Sequence, residues 1–306
     1  MHSAPRGQFD DDDATDPRGS WRDGADLDRP RASGWRAVFR EGDNPLTWSL
    51  PLGRYFGIQV RLSLMFVLFA VAELLRAWSQ GTLVAQSQMV ATLFVLVLLH
   101  EFGHCFACRR VGGEADEILM WPLGGLASCR PPHHWKAALI TTVGGPAVNV
   151  VLVPVLGGAI LATGGSLESV VFNPFNYAPA WLGYATTWWK SWLWYAYFMN
   201  ASLLAFNVLV AAFPLDGGRI VQELMWRRIG YRRSMAIATS IGLGASLALG
   251  VFGLVAQSFT LLGVAIFCGL TCFVERQRLR FIGATDPSGG EGWLPELESW
   301  RTGGGG

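Results

Sequence analysis

Charged residues are scarce in this chain of 306 residues: Asp, Glu, Lys and Arg make up 15% of it, whereas 51% is hydrophobic. The mean hydropathy of +0.31 excludes an average soluble domain, and we expect the excess apolar surface to face lipid. The formal charges nearly cancel, to +1, and no basic run is interleaved with aromatic residues. We therefore do not expect nucleic acid as a partner.

Apolar runs long enough to cross a bilayer recur along the chain. Crossing the hydrocarbon core takes roughly 20 residues of helix, and polar residues at the ends can reach the interface. We predict an all-α polytopic membrane protein of about six transmembrane helices. They lie near residues 62–79, 86–108, 137–162, 192–213, 235–256 and 257–274.

The basic residues are distributed unevenly between the segments that join these spans. If the N-terminus is cytoplasmic and six spans follow, only Arg76 and Lys190 fall on the opposite side of the membrane. The positive-inside rule expects such an imbalance, and it favours an even number of spans with both termini inside. Four or eight spans would also be even. We expect a multi-pass protein of a bacterial cytoplasmic membrane.

The two ends of the sequence differ from its middle. Residues 1–45 contain the acidic run Asp10–Asp13 and no apolar segment of a signal peptide, so we expect a disordered cytoplasmic tail. Residues 46–280 form the predicted six-span domain. Residues 281–306 end in a glycine run and are expected to form a flexible tail.

An H-E-x-x-H motif ends the second apolar run, as His100-Glu101-Phe102-Gly103-His104. On a helix, the two imidazoles at i and i+4 project from one face, where both can bind a single Zn²⁺ ion while Glu101 approaches a water molecule. The alternative is a set of ordinary hydrogen-bonded polar residues. A charge at the centre of a bilayer costs about 2.5 to 3.5 kcal/mol, which favours a functional site.

A catalytic zinc site needs a third protein ligand, and Asp216 fits best. It follows the fourth apolar run in Phe213-Pro214-Leu215-Asp216-Gly217-Gly218, where Pro and paired Gly can end the helix and turn the carboxylate inward. The alternative is an ordinary turn aspartate after a helix. With the histidine pair present, metal ligation is the better interpretation, with one Zn²⁺ per chain.

Three segments, in this order on separate spans, resemble the site-2 protease family of intramembrane metalloproteases, peptidase family M50. They are His100-Glu101-Phe102-Gly103-His104, Gly144-Gly145-Pro146-Ala147-Val148-Asn149 and Phe213-Pro214-Leu215-Asp216-Gly217-Gly218-Arg219. The similarity covers residues 50–280. The chain resembles a compact six-span branch without the PDZ or CBS domain of other branches.

The resemblance implies a three-helix catalytic core and a role for each matched residue. His100, His104 and Asp216 would bind zinc, and Glu101 would be the general base. Asn149 and Asn207 would hold substrate or the oxyanion. The sequence departs from the family pattern after Asn207, with one extra residue before Asp216. An interhelical hydrogen bond is the alternative for Asn149.

Gly124 and Gly125 lie in an apolar segment between charged flanks. A re-entrant strand or β-hairpin there could pair with an unwound substrate, as the resemblance implies; a glycine turn is the alternative. The implied activity is zinc-dependent hydrolysis of a peptide bond within or near a transmembrane segment, as in regulated intramembrane proteolysis. The implied partners are a transmembrane protein substrate and the lipid bilayer.

Two other functions are compatible with the residues. A transporter or metal-handling membrane protein could use intramembrane His and Asp side chains to bind an ion, but it would be expected to have an internal repeat and has no need of Glu101. A pseudoprotease could bind membrane proteins without cutting them. Cys105 and Cys108 form C-x-x-C, which suggests either a redox or metal site or simple helix packing; we favour packing.

Overall fold

The computed structural model of the chain describes residues 48–122, 124–173, 178–210 and 212–285. The predicted N-terminal tail, and the predicted C-terminal tail beyond residue 285, lie outside these ranges. The strands are β1 (Ser49–Tyr55), β2 (Ile58–Ser63), β3 (Glu114–Trp121) and β4 (Gly124–Arg130). The α-helices are α1 (Leu64–Ser79), α2 (Leu83–Arg110), α3 (Trp135–Ala162), α4 (Ala178–Tyr184), α5 (Trp188–Leu209), α6 (Asp216–Ile229), α7 (Tyr231–Val255) and α8 (Phe259–Thr285), with a short 3-10 helix at Leu167–Val170.

Within the described part of the chain, three helices have the length and hydropathy to cross a membrane: α2, α3 and α7. They contain the predicted spans 86–108 and 137–162 and all but the last residue of the predicted span 235–256. The count of six is not confirmed. The first predicted span began at residue 62, but that residue lies in β2 and α1 has only 16 residues. The last helix continues to Thr285, five residues into the predicted tail.

The glycines begin the second strand of a β-hairpin, one of the two predicted forms of this segment, but the hairpin belongs to a four-stranded sheet, so the chain is mostly helical rather than all-α. The strand order is β1-β2-β3-β4. The outer pairs are antiparallel hairpins, and β2 pairs with β3 in parallel, with Val60 opposite Ile118. Since α1 and α2 connect β2 to β3, this pairing brings the start of α1 and the end of α2 to the same sheet.

The sheet packs against the C-terminal half of α2. Its buried side chains share one apolar cluster with residues of that helix: Ile58, Val60, Ala115, Ile118 and Met120 from the strands, and Val97, Phe102, Cys105 and Cys108 from α2. Burial of apolar surface contributes about 25 cal/mol per Å², so this cluster holds the sheet to the helix. The two C-x-x-C thiols are therefore packing residues, and all five cysteines are free.

Arg109 links the end of α2 to the sheet through hydrogen bonds. Its guanidinium donates hydrogen bonds to the carbonyl oxygens of Phe56 and Ala115, each at 2.6 Å. Because both acceptors are backbone atoms, the contact fixes the position of the strands rather than of a flexible side chain. The helix that carries the H-E-x-x-H motif and the strand β4 therefore lie side by side.

Helix α3 approaches α2 closely through facing glycines. A Cβ added at Gly103 would lie 2.7 Å from the Val148 side chain and 2.9 Å from the Gly144 carbonyl carbon. Small residues at such a crossing let two helix backbones come together. The approach brings backbone and side-chain groups of α3 within hydrogen-bonding reach of the histidines on α2.

Candidate metal centre

His100 and His104 lie one turn apart on α2, and both are buried. Their ring centroids are 4.7 Å apart and the rings are nearly perpendicular, at 84°. The two Nε2 atoms are 3.1 Å apart. The predicted pairing of the imidazoles on one helix face is therefore present in the structure.

Asp216 brings a carboxylate to the same point from a distant part of the sequence. It is the first residue of α6, where the partial positive charge of a helix N-terminus favours an anion. Its Oδ2 lies 3.0 Å from His100 Nε2, and its Oδ1 lies 3.5 Å from His104 Nε2. Burial raises the pKa of Asp216, but the neighbouring His100 and His104 imidazoles lower it by more, so the pKa lies below its usual value.

The distances between the three donors fit a small tetrahedral ion. Zn²⁺ binds His nitrogen and carboxylate oxygen at about 2.0 to 2.2 Å, so neighbouring ligand atoms of a tetrahedral site lie roughly 3.3 Å apart. The two Nε2 atoms are 3.1 Å apart, and the two oxygens of the Asp216 carboxylate lie 3.0 Å (Oδ2) from His100 Nε2 and 3.5 Å (Oδ1) from His104 Nε2, close to that spacing. Three protein donors leave a fourth position for a water molecule or substrate, as in catalytic zinc sites.

Both imidazoles are held so that Nε2 can bind a metal. His104 Nδ1 lies 2.9 Å from the carbonyl oxygen of Thr141, and His100 Nδ1 lies 2.6 Å from Asn149 Oδ1. Oxygen atoms of this kind only accept hydrogen bonds, so each of these contacts requires a proton on Nδ1 and leaves Nε2 with its lone pair. The Gly145 N–H also approaches His104 Nδ1, at 3.3 Å, and is the longer of the two contacts. The Nε2 lone pairs of His100 and His104 and the Asp216 carboxylate are therefore directed at the same point.

Gly145 lies directly against the two rings. A Cβ at this position would come within 2.5 Å of His104 Cε1 and 2.7 Å of His100 Nε2. Contacts this short require a shift of the rings or of α3. The absence of a side chain at Gly145 is thus a condition for the observed arrangement of the histidines.

Glu101 is buried between α2 and β4. His100, Glu101 and His104 each offer a ligand atom, and these atoms lie within 4.8 Å of one another. The Ala127 backbone N–H donates to Glu101 Oε2 at 3.2 Å. The backbone of Gly125 lies close to the same carboxyl group: a Cβ added at Gly125 would be 2.6 Å from Glu101 Cδ.

The remaining predicted site residues are placed as follows. Gly124 is the first residue of β4 and pairs with Trp121 of β3. Its φ of +145° is a conformation that favours glycine. Asn149 is fully buried and contacts His100, which corresponds to the interhelical alternative; its predicted contact with substrate or oxyanion stays a prediction. The backbone carbonyl oxygen of Asn207 lies 3.0 Å from a Cβ built at Gly217, the residue after Asp216; the predicted contact of Asn207 with substrate or oxyanion stays a prediction.

Two buried polar side chains near the centre were missed from the sequence. Asn200 on α5 is fully buried and hydrogen-bonds to Asn149. Glu223 on α6 is 6% exposed. The sequence contains an indication of each. Asn200 is a lone amide within an apolar run, which favours an interhelical contact. Glu223 lies seven residues after Asp216 and therefore on the same helix face.

Glu223 accepts a hydrogen bond from the Thr142 hydroxyl at 2.7 Å, while its Oε2 has no partner in the described part of the chain. Burial raises the pKa of Glu223 to about 7; the Thr142 hydrogen bond and the charge of Arg219 act in the opposite direction. This carboxyl group therefore changes its charge near neutral pH.

The structure brings two histidines of α2, a helix apolar enough to cross a membrane, together with Asp216 of α6, and comparison with known proteins identifies the family of the chain. A sequence model of peptidase family M50 matches residues 88–249. The chain belongs to peptidase family M50.

Individual relatives agree with this assignment. A zinc metalloprotease of Methanocaldococcus jannaschii is 29% identical over 223 residues, which are 72% of this chain and 59% of that protein. The Rip3 protein of Mycobacterium tuberculosis is 28% identical over 198 residues, 60% of this chain and 45% of its own length. The chain thus spans about half the length of these curated relatives.

A solved structure is also similar. The site-2 protease from Methanocaldococcus jannaschii superposes with a TM-score of 0.56 at 28% sequence identity, covering 74% of this chain and 95% of that one. The shared fold accounts for most of the part of the chain that the structure describes.

Proposed function

We propose that this chain is a zinc-dependent intramembrane endopeptidase that hydrolyses a peptide bond within or near the transmembrane segment of another membrane protein. The observation that carries the proposal is the donor triangle of His100, His104 and Asp216, with Glu101 beside it, at the end of a helix apolar enough to cross a bilayer. The names of the M50 relatives support zinc as the cofactor.

Zinc bound by His100, His104 and Asp216 would supply Lewis-acid chemistry, polarising a carbonyl oxygen and making a water molecule more acidic. Glu101 would take the proton from the attacking water and return it to the nitrogen of the departing chain. The Ala127 N–H and Gly125 hold its carboxyl group toward the centre. The three ligands and the base thus have separate tasks.

Strand β4 is suited to hold the substrate. It is an outer strand of the sheet, so one of its edges is not paired with another strand, and an extended peptide can add to such an edge through backbone hydrogen bonds. Its residues Gly125 and Ala127 contact Glu101. A substrate strand alongside β4 would therefore run past the general base, after its own helix has unwound.

The proposal is tested with the purified chain in detergent and in lipid vesicles. Zinc content and cleavage of a single-span model substrate are measured for the wild type and for Glu101→Gln. We expect one zinc ion per chain in both proteins and cleavage by the wild type alone, reduced at least 100-fold in the variant because the general base is lost.

Glu168→Gln is the matched control, since this exposed residue of the 3-10 helix at Leu167–Val170 lies outside the site; it should cleave like the wild type. A zinc-free wild type, or a Glu101→Gln protein as active as the wild type, would disprove the protease. Transport of an ion across vesicles that persists in Glu101→Gln would favour the transporter instead. Zinc binding without cleavage by the wild type of any single-span substrate would favour a pseudoprotease.

A further inference from the structure

A chain of buried amides connects α5 to the metal centre. Asn200 Nδ2 donates to the backbone carbonyl of Asn149 at 3.0 Å, and Asn149 Nδ2 donates to Asn200 Oδ1 at 2.8 Å. Asn149 Oδ1 then faces His100 Nδ1 at 2.6 Å. Both asparagines are completely shielded from solvent, so water cannot replace any of these partners.

The direction of every hydrogen bond in this chain follows from one backbone atom. The carbonyl oxygen of Asn149 can only accept, so Asn200 must turn its NH₂ group toward it. The Asn200 oxygen then faces Asn149 and requires the NH₂ group of that amide. Asn149 is thereby left with its oxygen toward His100, and an oxygen there requires a proton on Nδ1.

Reversing either amide would set like groups against each other. A flipped Asn200 would place its oxygen against the Asn149 carbonyl oxygen, and a flipped Asn149 would place its side-chain oxygen against the Asn200 oxygen. An unsatisfied buried polar group costs about 1 to 3 kcal/mol, so each amide has one strongly preferred orientation. The alternative tautomer of His100 is disfavoured for the same reason.

We propose that Asn200 is a positioning residue for the metal centre: through Asn149 it fixes His100 as the Nδ1–H tautomer, with the Nε2 lone pair directed at the point shared with His104 and Asp216. This inference rests on the proposed zinc site and adds α5 to the helices that support it. His104 needs no such relay, because its Nδ1 is held by the backbone carbonyl of Thr141. The two ligands therefore differ in what keeps them oriented.

The test measures zinc affinity by competition with a chromophoric chelator, on the whole chain in detergent, so that it does not depend on protease activity. Groups that orient a metal-binding histidine typically change metal affinity 10- to 100-fold when removed. We expect about a 10-fold loss for Asn200→Ala and a larger one, up to about 100-fold, for Asn149→Leu. Asn200→Leu, which fills the space of the amide, should weaken zinc binding as Asn200→Ala does.

Variants made in an Asn149→Asp protein distinguish an effect on the orientation of His100 from an effect on helix packing. Asn149→Asp presents oxygen on both branches, so His100 Nδ1 has an acceptor however the side chain is turned. We expect Asn149→Asp to keep zinc affinity within about threefold of the wild type and, in that background, Asn200→Ala to cause no further loss. Ser202→Ala, on the same helix and outside the relay, is the control and should leave zinc affinity unchanged.

The outcomes are distinguishable. Equal zinc affinity in the wild type, Asn200→Ala and Asn200→Leu would overturn the relay while leaving the zinc site intact. An equal loss on adding Asn200→Ala to the wild type and to Asn149→Asp would also overturn it, because the effect would then be one of packing. A wild type without zinc would remove the relay and the proposed function together.

Discussion

Single residues at the metal centre are constrained by very short distances. Gly145 leaves room for two imidazoles, Thr141 offers a carbonyl oxygen to His104, and Asn149 offers an amide oxygen to His100. All three belong to α3, which contributes no metal ligand. The orientation of the ligands therefore depends on α3, although none of the proposed ligands belongs to that helix.

The first prediction at this scale concerns Gly145→Ala. The added methyl group cannot fit beside His104 and His100 without moving them, so we expect zinc affinity to fall at least 10-fold and cleavage to fall with it. Gly158→Ala is the matched control, because a Cβ there meets no described atom within 4 Å of it. Unchanged zinc affinity in Gly145→Ala would contradict the close contact.

A second prediction concerns Glu223. Because burial raises its pKa in the folded protein from 4.5 to about 7, the folded state holds this proton more tightly than the unfolded state. The free energy of unfolding should therefore fall as pH rises from 4.5 through 7, by up to about 3 kcal/mol. The neutral variant Glu223→Gln keeps an acceptor for Thr142 and should lack this decline.

The measurement is chemical unfolding of the zinc-free chain in detergent at pH 5 and pH 8. Asp216 and His104 also influence Glu223 and are present in both proteins, so the difference between the two proteins isolates the carboxyl group. The exposed Glu114→Gln variant reports any general effect of removing a carboxylate. A wild type whose stability relative to Glu223→Gln is the same at both pH values would refute the prediction.

Among the secondary-structure elements, β4 has a double role in the proposed mechanism. One of its edges completes the sheet through β3, and its Gly125 and Ala127 hold the Glu101 carboxyl group. The position of the general base thus depends on how the sheet packs against α2. A change in β4 should affect catalysis more than metal binding.

Gly125→Ala tests this separation. The new Cβ would overlap the carboxyl group of Glu101 and displace it, so we expect kcat to fall at least 10-fold with little change in zinc content. Cleavage and bound zinc are measured together, with Gly158→Ala as the matched control, because a Cβ there meets no described atom within 4 Å of it. Loss of zinc in parallel with activity would mean that the sheet supports the ligands as well as the base.

The sequence was informative about elements with local patterns and uninformative about those built from distant pairs. The His100-Glu101-His104 spacing and the position of Asp216 after an apolar run were sufficient to predict the donors that the structure brings together. The sheet was missed because β2 and β3 pair in parallel across two intervening helices. No short-range signal encodes such a pairing.

At the scale of the whole molecule, the apolar helices and the basic residues bear on the membrane topology. Helices α2, α3 and α7 are long and apolar enough to cross a bilayer, and the distribution of Arg and Lys favours cytoplasmic termini. The proposed six spans place the β-sheet and the entrance to the metal centre on the cytoplasmic side. Hydropathy fixes the number of spans poorly where a helix is short or carries charged ends, as α1 and α8 do.

Reporter fusions test this arrangement. Alkaline phosphatase joined after residue 81 or residue 165 should be active, because six spans put both points outside, and a fusion after residue 131 should be inactive. A fluorescent protein joined after residue 280 should fluoresce, as expected in the cytoplasm. An active phosphatase after residue 131 would reverse the orientation, and an inactive one after residue 81 would remove the first span.

The two histidines and Asp216 are separated by more than one hundred residues, 116 between His100 and the aspartate. A ribosome completes α2 and α3 well before it reaches α6. During synthesis the nascent chain therefore carries the two imidazoles without the Asp216 carboxylate, so the proposed protease would be unable to cut neighbouring chains at the translocon before α6 has been made.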